Sequence, residues 1–293
     1  MFQGVYTALI TPFRAGKIDE SAFEKLIAAQ IAGGVHGLVP CGTTGESPTL
    51  SHDEHNQVVA LCVKHAKGKA KIMAGTGSNA TDEAIQLTQY AEKCGADAAL
   101  VIAPYYNKPT QEGLYQHFKA IHDATRIPIM LYNVPGRCVV DMGDSLIARL
   151  AELPRIIGIK DATGNLERPS TLRLALKDKA DKFTQFSGED TTAIPFNLQG
   201  GKGVISVTAN IAPKLCAEVQ NLSLAGKYAE ALALQEKLMP LHKIMFIETS
   251  PAPVKYAASL MGICTEDLRL PLVPPSAESK AKIKEALITA GLI

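Results

Sequence analysis

A single lysine within an apolar run is the clearest candidate for chemistry in this sequence. Lys160 lies in the run IIGIKDA (156–162). Burial disfavours the charged form of a lysine, and a neutral amine is a nucleophile that can form an imine with a carbonyl compound. The alternative is a lysine that keeps its charge by pairing with Asp161 or a neighbouring carboxylate and takes no part in chemistry. We favour the first interpretation, in which Lys160 is a Schiff-base nucleophile.

Hydroxyl groups near two other apolar runs could move protons or hold a substrate. Tyr132, near the end of IPIMLYNVP (127–135), could accept and return protons during imine formation, with Thr44 as a bridge. The alternative for Tyr132 is a core residue whose hydroxyl bonds to the backbone. Thr43 and Thr44 lie in CGTTGES (41–47), whose glycines let the backbone approach a small carboxylate. This segment could instead be a turn whose threonines cap the next helix, and its spacing differs from that of a nucleotide-binding loop.

Arginine and tyrosine side chains follow two of the runs. Arg137 comes after Val134-Pro135-Gly136, a stiff turn from which its planar guanidinium could hold a second carboxylate; the alternative is an ordinary surface arginine. Tyr105 and Tyr106 follow AALVIAP (98–104). An aromatic pair in this place is as often an oligomer contact as a catalytic element, and either role could involve a neighbouring subunit.

Short apolar runs bounded by turn residues must position these candidates. Near-continuous apolar character is typical of parallel strands covered by helices. The runs are VYTALITPF (5–13), HGLVPCG (36–42), KIMAGTG (71–77), AALVIAP (98–104), IPIMLYNVP (127–135), IIGIKDA (156–162), FTQFSGE (183–189) and GVISVTA (203–209). Eight strands joined by right-handed helical crossovers predict an α/β fold, a (β/α)8 TIM barrel, with the active site at the C-terminal ends of the strands.

Helical segments separate the runs and dominate the C-terminal part of the chain. We predict helix starts at Asp19, at a capping box from Ser51 to Glu54, and at Asn79. After Ala209 the pattern becomes mostly helical. We therefore predict a catalytic barrel over residues 1–224 and a C-terminal helical appendage over 225–293, packed on the barrel.

Composition narrows the class of function. A net charge of +1 gives no field to attract nucleic acid or an anionic membrane. The six cysteines are scattered, without the spacing of a zinc site or a disulfide framework, so no metal is expected. The N-terminal sequence lacks the pattern of a secretory signal, and no apolar run is long enough to span a bilayer, so we expect a cytoplasmic protein.

Seven motifs, in order and spanning nearly the whole chain, resemble the dihydrodipicolinate synthase family of pyruvate-dependent aldolases. The same superfamily contains N-acetylneuraminate lyase. The motifs are ALITPF, CGTTGES, APYYNKPTQEG, YNVPGR, GIKDATGN, FSGED and GVISVTAN. The resemblance implies a lyase that condenses pyruvate with L-aspartate 4-semialdehyde, a step in diaminopimelate and lysine biosynthesis.

The resemblance also implies roles for individual residues. Lys160 would form the Schiff base with pyruvate, without a cofactor. Tyr132, Thr44 and Tyr106 would form a proton relay, with Tyr106 supplied across a dimer interface. Thr43 and Thr44 would hold the pyruvate carboxylate and Arg137 that of the semialdehyde. The backbones of Gly188 and Ile205 would line the pocket.

Members of this family are commonly homotetramers, and some are inhibited by lysine at the tight dimer interface. The resemblance places that inhibitor site at Ser47, His52, His55, Asn79, Glu83 and Tyr105. The alternative for His52 and His55 is a solvated first helical turn. Pro48 stands where the family pattern leads us to expect alanine.

Two other functions stay open at this point. One is a different pyruvate-handling aldolase, such as a sialic acid or keto-deoxy sugar acid lyase, which Arg137 argues against because an arginine suits a compact carboxylated aldehyde better than a long sugar chain. The other is a catalytically silent barrel kept as a binding or scaffolding subunit. The presence of every matched reactive residue argues against this second alternative.

Overall fold

The structure, a computed structural model, describes residues 2–293 of the chain. The strands in this range are β1 (Gly4–Ala8), β2 (Phe13–Arg14), β3 (Lys17–Ile18), β4 (Gly37–Val39), β5 (Lys71–Gly75), β6 (Ala98–Ile102), β7 (Ile129–Asn133), β8 (Ile156–Asp161), β9 (Thr184–Ser187) and β10 (Gly203–Ser206). β2 and β3 form a short antiparallel hairpin. The other strands are parallel and close a barrel in the order β1-β4-β5-β6-β7-β8-β9-β10, with β10 returning to β1. This confirms the predicted TIM barrel.

Each barrel strand lies within a predicted apolar run, except that β1 begins at Gly4, one residue before its run, and the strands end earlier than the runs do. β4 ends at Val39 because Pro40 follows, and proline has no N–H to donate to the next strand. β6 ends at Ile102, two residues before Pro104, and β7 ends at Asn133, two residues before Pro135. The residues beyond these ends turn outward and build the loops on which the site candidates lie.

Helices follow the barrel strands and cover the outside of the barrel. They are α1 (Glu20–Ala32), α2 (His52–Ala66), α3 (Thr81–Cys94), α4 (Gln111–Ala124), α5 (Pro135–Cys138), α6 (Asp144–Leu150), α7 (Arg168–Leu176), α8 (Ala193–Leu198), α9 (Pro213–Leu224), α10 (Tyr228–Ile244), α11 (Ala252–Leu260) and α12 (Ala277–Thr289). Among the helices described, none is both long and apolar enough to cross a membrane.

Two of the three predicted helix starts agree with the structure. Asp19 caps α1 by accepting from Ala22 N, and Ser51 and Glu54 form the reciprocal capping box of α2. The third is different, because α3 begins after Ala80, which makes no side-chain cap. The Asn79 side chain donates instead to the carbonyl of Tyr105, 3.2 Å away, and so fixes the loop after β6.

The C-terminal helices share a core with the barrel. α9 ends at Leu224, the last residue of the predicted barrel unit, and α10 to α12 follow it. Leu238, Val254 and Ile283, one from each of these helices, belong to the same buried cluster as Val5 of β1 and Leu38 of β4. The C-terminal region is therefore packed on the barrel, while the division of the chain at 224 stays a prediction.

Strand register sets the centre of the site. Tyr132 on β7 is directly paired with Lys160 on β8, and Lys160 is paired with Phe186 on β9. Paired residues on neighbouring strands direct their side chains to the same face of the sheet. The Tyr132 phenol and the Lys160 amine, which are predicted to act together, therefore project from adjacent strands on the same face of the sheet.

Candidate active site

Lys160 is buried and has an aromatic neighbour. Its side chain is 8% exposed, and its Nζ lies 4.2 Å from the centroid of the Tyr132 ring. Within residues 2–293, no carboxylate oxygen lies within the 4.0 Å that defines an ion pair with Nζ. The amine is therefore in the environment that imine chemistry needs, close to a phenol and without a fixed counter-ion.

Lys160 and Asp161 do not form the ion pair that was the alternative to a reactive lysine. Successive residues of a strand point to opposite faces, and the Asp161 carboxylate is taken up by other donors. It accepts from Thr163 N at 3.0 Å and from Asn133 Nδ2 at 3.4 Å, and Arg168 Nε lies 3.3 Å from it. Arg168 is itself buried and contacts both oxygens of Asp141, at 2.9 and 2.8 Å. This network keeps the charge of Asp161 engaged away from Lys160.

A cavity of about 200 Å³ opens at the C-terminal ends of the strands. It is lined by Cys41, Gly42, Thr43, Ser47, Pro48, Gly75, Gly77, Leu100, Ile102, Tyr105, Tyr132, Arg137 and Cys138. Residues predicted to bind substrate and residues predicted to bind an inhibitor thus line the same cavity. Lys160 and Thr44 do not line this cavity. The ring of Tyr132, which does line it, contacts Lys160.

The segment Cys41–Ser47, here called the hydroxyl loop, is tightly folded. Thr44 is buried and Thr43 is partly exposed to the cavity. Cys41 and Glu46 both have left-handed backbones, with φ of 56° and 55°. A Cβ on Gly75, at the end of β5, would lie 2.3 Å from the Cys41 carbonyl oxygen, so the strand end and the loop are in direct contact. The predicted alternative, in which the threonines cap the next helix, is wrong, because Ser51 caps α2.

Arg137 and the tyrosine pair lie at the mouth of the site. Arg137 is exposed on the one-turn helix α5 and lines the cavity, where its guanidinium is free to meet an entering anion. Tyr105 is half-buried and also lines the cavity. Tyr106 is 89% exposed with a φ of 70°, so its side chain points away from the cavity of its own chain. The predicted relay is not complete within one chain.

Gly188 and Ile205 lie where their strands end. Gly188 N donates to the Asp161 carbonyl at 2.6 Å, and a Cβ on Gly188 would lie 2.5 Å from that of Ala162. The end of β8 therefore packs directly on the residue that follows β9. Ile205 is buried in β10, in register with Tyr6 of β1. Both backbones belong to the barrel end that carries Lys160.

Three of the side chains predicted to bind an inhibitor, those of His52, His55 and Glu83, lie close together beside the cavity. His52 Nε2 lies 2.5 Å from Glu83 Oε1, and Ser78 donates to the other oxygen of Glu83. The hydrogen bond from Ser78, followed by that from His52, holds the pKa of the Glu83 carboxyl below its usual value. His55 is buried with its Nε2 2.8 Å from the Gly75 carbonyl, and burial lowers its pKa. His55 is therefore not on a solvated turn, whereas His52 is exposed as that alternative required.

Three residues that the sequence did not mark for a role contact this region. Ser78 holds Glu83, Arg168 holds Asp161, and Lys255 of α11 forms an ion pair with Glu46 of the hydroxyl loop. Lys255 carries the same signal as Lys160, since it is a lone lysine in the apolar segment PAPVKYAASLMG (251–262). No local signal marks Ser78 or Arg168. Within the described part of the chain, no three His, Cys, Asp or Glu side chains are grouped as a metal site.

A closed barrel with a buried lysine, a phenol and a hydroxyl loop at its strand ends defines a TIM-barrel enzyme. The model of the Dihydrodipicolinate synthetase family matches residues 1–290, and the chain belongs to this family. It is an enzyme of the lyase class. A relative from Rhodospirillum centenum, a 4-hydroxy-tetrahydrodipicolinate synthase, is 57% identical over 293 residues, which cover 100% of both chains.

Solved structures agree with the family over the full length. A chloride-inhibited dihydrodipicolinate synthase from Acinetobacter baumannii, in complex with pyruvate, is 46% identical with a TM-score of 0.97, covering 100% of both chains. A synthase from Cyanidioschyzon merolae with lysine bound is 36% identical with a TM-score of 0.95, covering 100% of this chain and 99% of the other. A third neighbour, 41% identical with a TM-score of 0.97 and covering 100% and 98%, is described as a monomeric variant.

Proposed function

We propose that this enzyme condenses pyruvate with L-aspartate 4-semialdehyde through a Schiff base on Lys160, the 4-hydroxy-tetrahydrodipicolinate synthase reaction of lysine biosynthesis. The observation that carries the proposal is the buried Lys160 amine, 4.2 Å from the Tyr132 ring centroid and without a carboxylate partner in residues 2–293. The 57% identity to a synthase of this name supports the choice of reaction. No cofactor takes part, because the imine itself accepts the electrons released when the pyruvate methyl group loses a proton.

The chemistry requires Lys160 to attack as the free amine. Lys160 Nζ attacks the keto carbon of pyruvate, and loss of water gives the imine. Removal of a methyl proton gives an enamine, whose carbon forms a bond to the aldehyde carbon of the second substrate. The substrate amine then attacks the imine carbon, which closes the ring and releases Lys160. Tyr132, Thr44 and the partner-supplied Tyr106 would carry the protons of these steps.

The carboxylates of the two substrates need separate partners. Thr43 and Thr44 lie on the hydroxyl loop, whose backbone amides could hold the pyruvate carboxylate beside Lys160. Arg137 is exposed at the cavity wall, where a guanidinium can bind the carboxylate of the semialdehyde in a bidentate pair. The backbones of Gly188 and Ile205 complete the pocket on the far side of β8.

Borohydride trapping tests the imine. The native enzyme is incubated with pyruvate and reduced with borohydride, and the mass of the intact protein is measured by mass spectrometry. We expect a covalent adduct. Lys160→Ala should give none, whereas Lys284→Ala, which removes an exposed lysine of α12, should give the native amount. An unmodified native protein would instead support a catalytically silent barrel.

A substrate comparison separates this reaction from the sugar-acid alternative. Condensation with aspartate semialdehyde should proceed faster than cleavage of sialic acid or keto-deoxy sugar acids. The exposed Arg137 favours the compact carboxylated aldehyde, since a long polyhydroxylated chain would leave this charge without a partner. The opposite preference would exclude our substrate assignment while leaving the imine intact.

We also propose that lysine inhibits the enzyme at the cluster formed by Ser47, His52, His55, Asn79, Glu83 and Tyr105. The neighbour with bound lysine supports this, as does the ionised Glu83 carboxylate, which suits an ammonium ligand. Activity should fall as lysine is added. Turnover that millimolar lysine leaves unchanged would remove this part of the proposal.

A homotetramer built from two dimers is proposed as the assembly. Tyr106 is 89% exposed, and Leu174 and Leu198, which lie together, are 79% and 57% exposed, so large apolar side chains are open to partner chains at two places. Sedimentation measurements would distinguish a tetramer from the monomer that one neighbour is described to be. The cytoplasmic location stays a prediction.

A further inference from the structure

A fully buried ion pair joins the C-terminal region to the hydroxyl loop. Lys255 Nζ on α11 lies 2.6 Å from Glu46 Oε1, and both side chains are 0% exposed. Lys255 also donates to the Asp267 carbonyl at 2.7 Å and lies 4.2 Å from the centroid of the Phe13 ring. The ammonium is therefore fixed by three partners and has little freedom to move.

The Glu46 carboxylate, held by Lys255, in turn fixes the backbone of the hydroxyl loop. Its second oxygen accepts from Arg269 N at 3.1 Å, so both carboxylate oxygens are held by residues of the C-terminal region. Its own amide donates to the Thr43 carbonyl at 3.1 Å. The φ of 55° at Glu46 is uncommon for a residue with a side chain and persists only when its surroundings enforce it. Anchoring the Glu46 carboxylate thus fixes the residue that holds Thr43.

The opposite side of the hydroxyl loop packs closely against the residues that follow β1. Thr11 Oγ1 donates to the Gly45 carbonyl at 2.7 Å, and a Cβ on Gly45 would come within 3.1 Å of the Leu9 carbonyl oxygen. The loop is therefore held between the strand ends on one side and the Lys255–Glu46 pair on the other. A shift of Glu46 would therefore move the threonines, because the other side of the loop is already in close contact with Leu9 and Thr11.

Stability alone does not explain the buried pair. Removing two charges from water is unfavourable, and apolar side chains of similar volume often give equal or greater stability. Burial lowers the pKa of Lys255, while the Glu46 charge opposes that change. What an ion pair provides and an apolar contact does not is a single defined position for its partners.

We propose that Lys255 and Glu46 are positioning residues, through which the C-terminal helical region sets the place of Thr43 and Thr44 in the active site. Neither residue touches the reacting atoms. The kinetic consequence rests on the proposed function, because it assumes that the threonines hold pyruvate. The mechanical consequence, an ordered hydroxyl loop, does not depend on it.

The test compares a charge-free double variant with the native enzyme. In Lys255→Met/Glu46→Gln no buried charge remains, and glutamine still accepts from Arg269 N. We expect a folded protein with a somewhat lower melting temperature, because the glutamine NH2 group and the Asp267 carbonyl lose their partners. The amides of residues 41–47 should exchange with solvent faster, and KM for pyruvate should rise by up to about 100-fold, the size of effect that a displacement near 1 Å can have. Lys280→Met, which removes the Lys280–Glu266 ion pair at 2.7 Å in the same region, should change neither exchange nor KM.

The outcomes separate this inference from the proposed function. A folded double variant with native exchange in residues 41–47 and KM within twofold of native would overturn the inference. If the native enzyme forms no adduct with pyruvate, the proposed function fails, and the exchange measurement still decides the positioning role. Should the double variant not fold, Lys255→Gln/Glu46→Gln serves instead, because it also removes both charges and its two amides can hydrogen-bond to each other. Faster exchange confined to residues 41–47 then supports the inference, and native exchange there overturns it.

Discussion

Two buried lysines of this chain have opposite electrostatic surroundings. Lys255 forms an ion pair with Glu46 at 2.6 Å, whereas Lys160 has an aromatic ring at 4.2 Å and no carboxylate partner in the described residues. The ion pair holds the Lys255 amine in one place, while the lack of one leaves the Lys160 amine unengaged by a carboxylate. This difference suits Lys255 to a fixed structural role and Lys160 to nucleophilic attack.

At the same scale, Tyr132→Phe isolates the phenol. Phenylalanine keeps the ring that packs on Lys160 but removes the proton carrier, so we expect kcat to fall about 10²- to 10⁴-fold. Steady-state kinetics with both substrates measure the change. Tyr115→Phe is the matched control, since its ring packs on Arg149 Cζ at 3.5 Å, outside the site. Native turnover in Tyr132→Phe would remove the phenol from the relay.

The Glu83 carboxylate is the group that we expect to bind the ammonium of a lysine inhibitor. Its carboxyl stays ionised below its usual pKa because Ser78 and His52 hydrogen-bond to the charged form. Glu83→Gln should raise the lysine concentration that halves activity by about 10- to 100-fold, the effect of losing a charge-assisted hydrogen bond. Asp82→Asn, in the same first turn of α3, is the control and should leave that concentration near native. Equal sensitivity of the two variants would place lysine elsewhere.

Between elements, Gly188 controls how closely the chain after β9 packs on the end of β8. A Cβ at residue 188 would lie 2.5 Å from Ala162 Cβ and 3.0 Å from Ala162 Cα, so Gly188→Ala must push the two strand ends apart. We expect a loss of about 1–3 kcal/mol in stability, typical of overpacking, and a lower kcat/KM for pyruvate. Gly143→Ala, where the nearest atom would be 3.6 Å away, should be tolerated. Urea denaturation and kinetics check both, and a native Gly188→Ala would mean that the strand end is free to move.

A second prediction for the elements concerns the junction of α2 with the C-terminal region. Arg269 contacts both oxygens of Glu54, at 2.6 and 2.5 Å, and this interaction lowers the pKa of Glu54 to about 2. Because the folded pKa lies below the unfolded value of about 4.3, the stabilisation is complete above that pH and is lost as the pH falls towards 2.

Glu54→Gln should therefore be less stable than the native chain at neutral pH, by about 1 kcal/mol after allowance for its partial exposure. The two stabilities should converge as the pH falls from about 4 to about 2. Urea denaturation across this range measures the difference. Asp53→Asn, an exposed neighbour in the same turn, should show no such convergence. A difference that does not depend on pH would mean that the ion pair does not supply it.

For the whole molecule, the exposed Tyr106 leads to a prediction about assembly. Lys160→Ala and Tyr106→Phe should each be nearly inactive alone. If Tyr106 acts across an interface, mixed dimers contain one site with both native residues, so a mixture of the two variants in equal amounts should regain about a quarter of native activity after subunit exchange. A mixture of Lys160→Ala with Tyr132→Phe should recover none, because both residues belong to the site of one chain and no mixed dimer then contains a fully native site. No recovery in the first mixture, despite exchange seen by native mass spectrometry, would confine Tyr106 to its own chain.

The sequence by itself determined the barrel and the neighbours of Lys160. Eight apolar runs specify eight buried strands because each strand is covered by the helices that follow it, and the order of runs sets which strands pair. Tyr132 and Lys160 became adjacent once β7 and β8 were assigned. Helix starts were predictable where a local cap exists, at Asp19 and Ser51, but not at Asn79, whose side chain binds a distant loop.

Only the tertiary structure decided how the charges around the site are paired. Glu46 and Lys255 are 209 residues apart and meet because the C-terminal helices fold back onto the barrel. Arg168 pairs with Asp161 on the face of β8 opposite Lys160, while Ser78, from the loop after β5, and His52, the first residue of α2, meet at Glu83. Periodicity records which face of an element is buried, but a side-chain ion pair depends on distances that exist only after the barrel has closed.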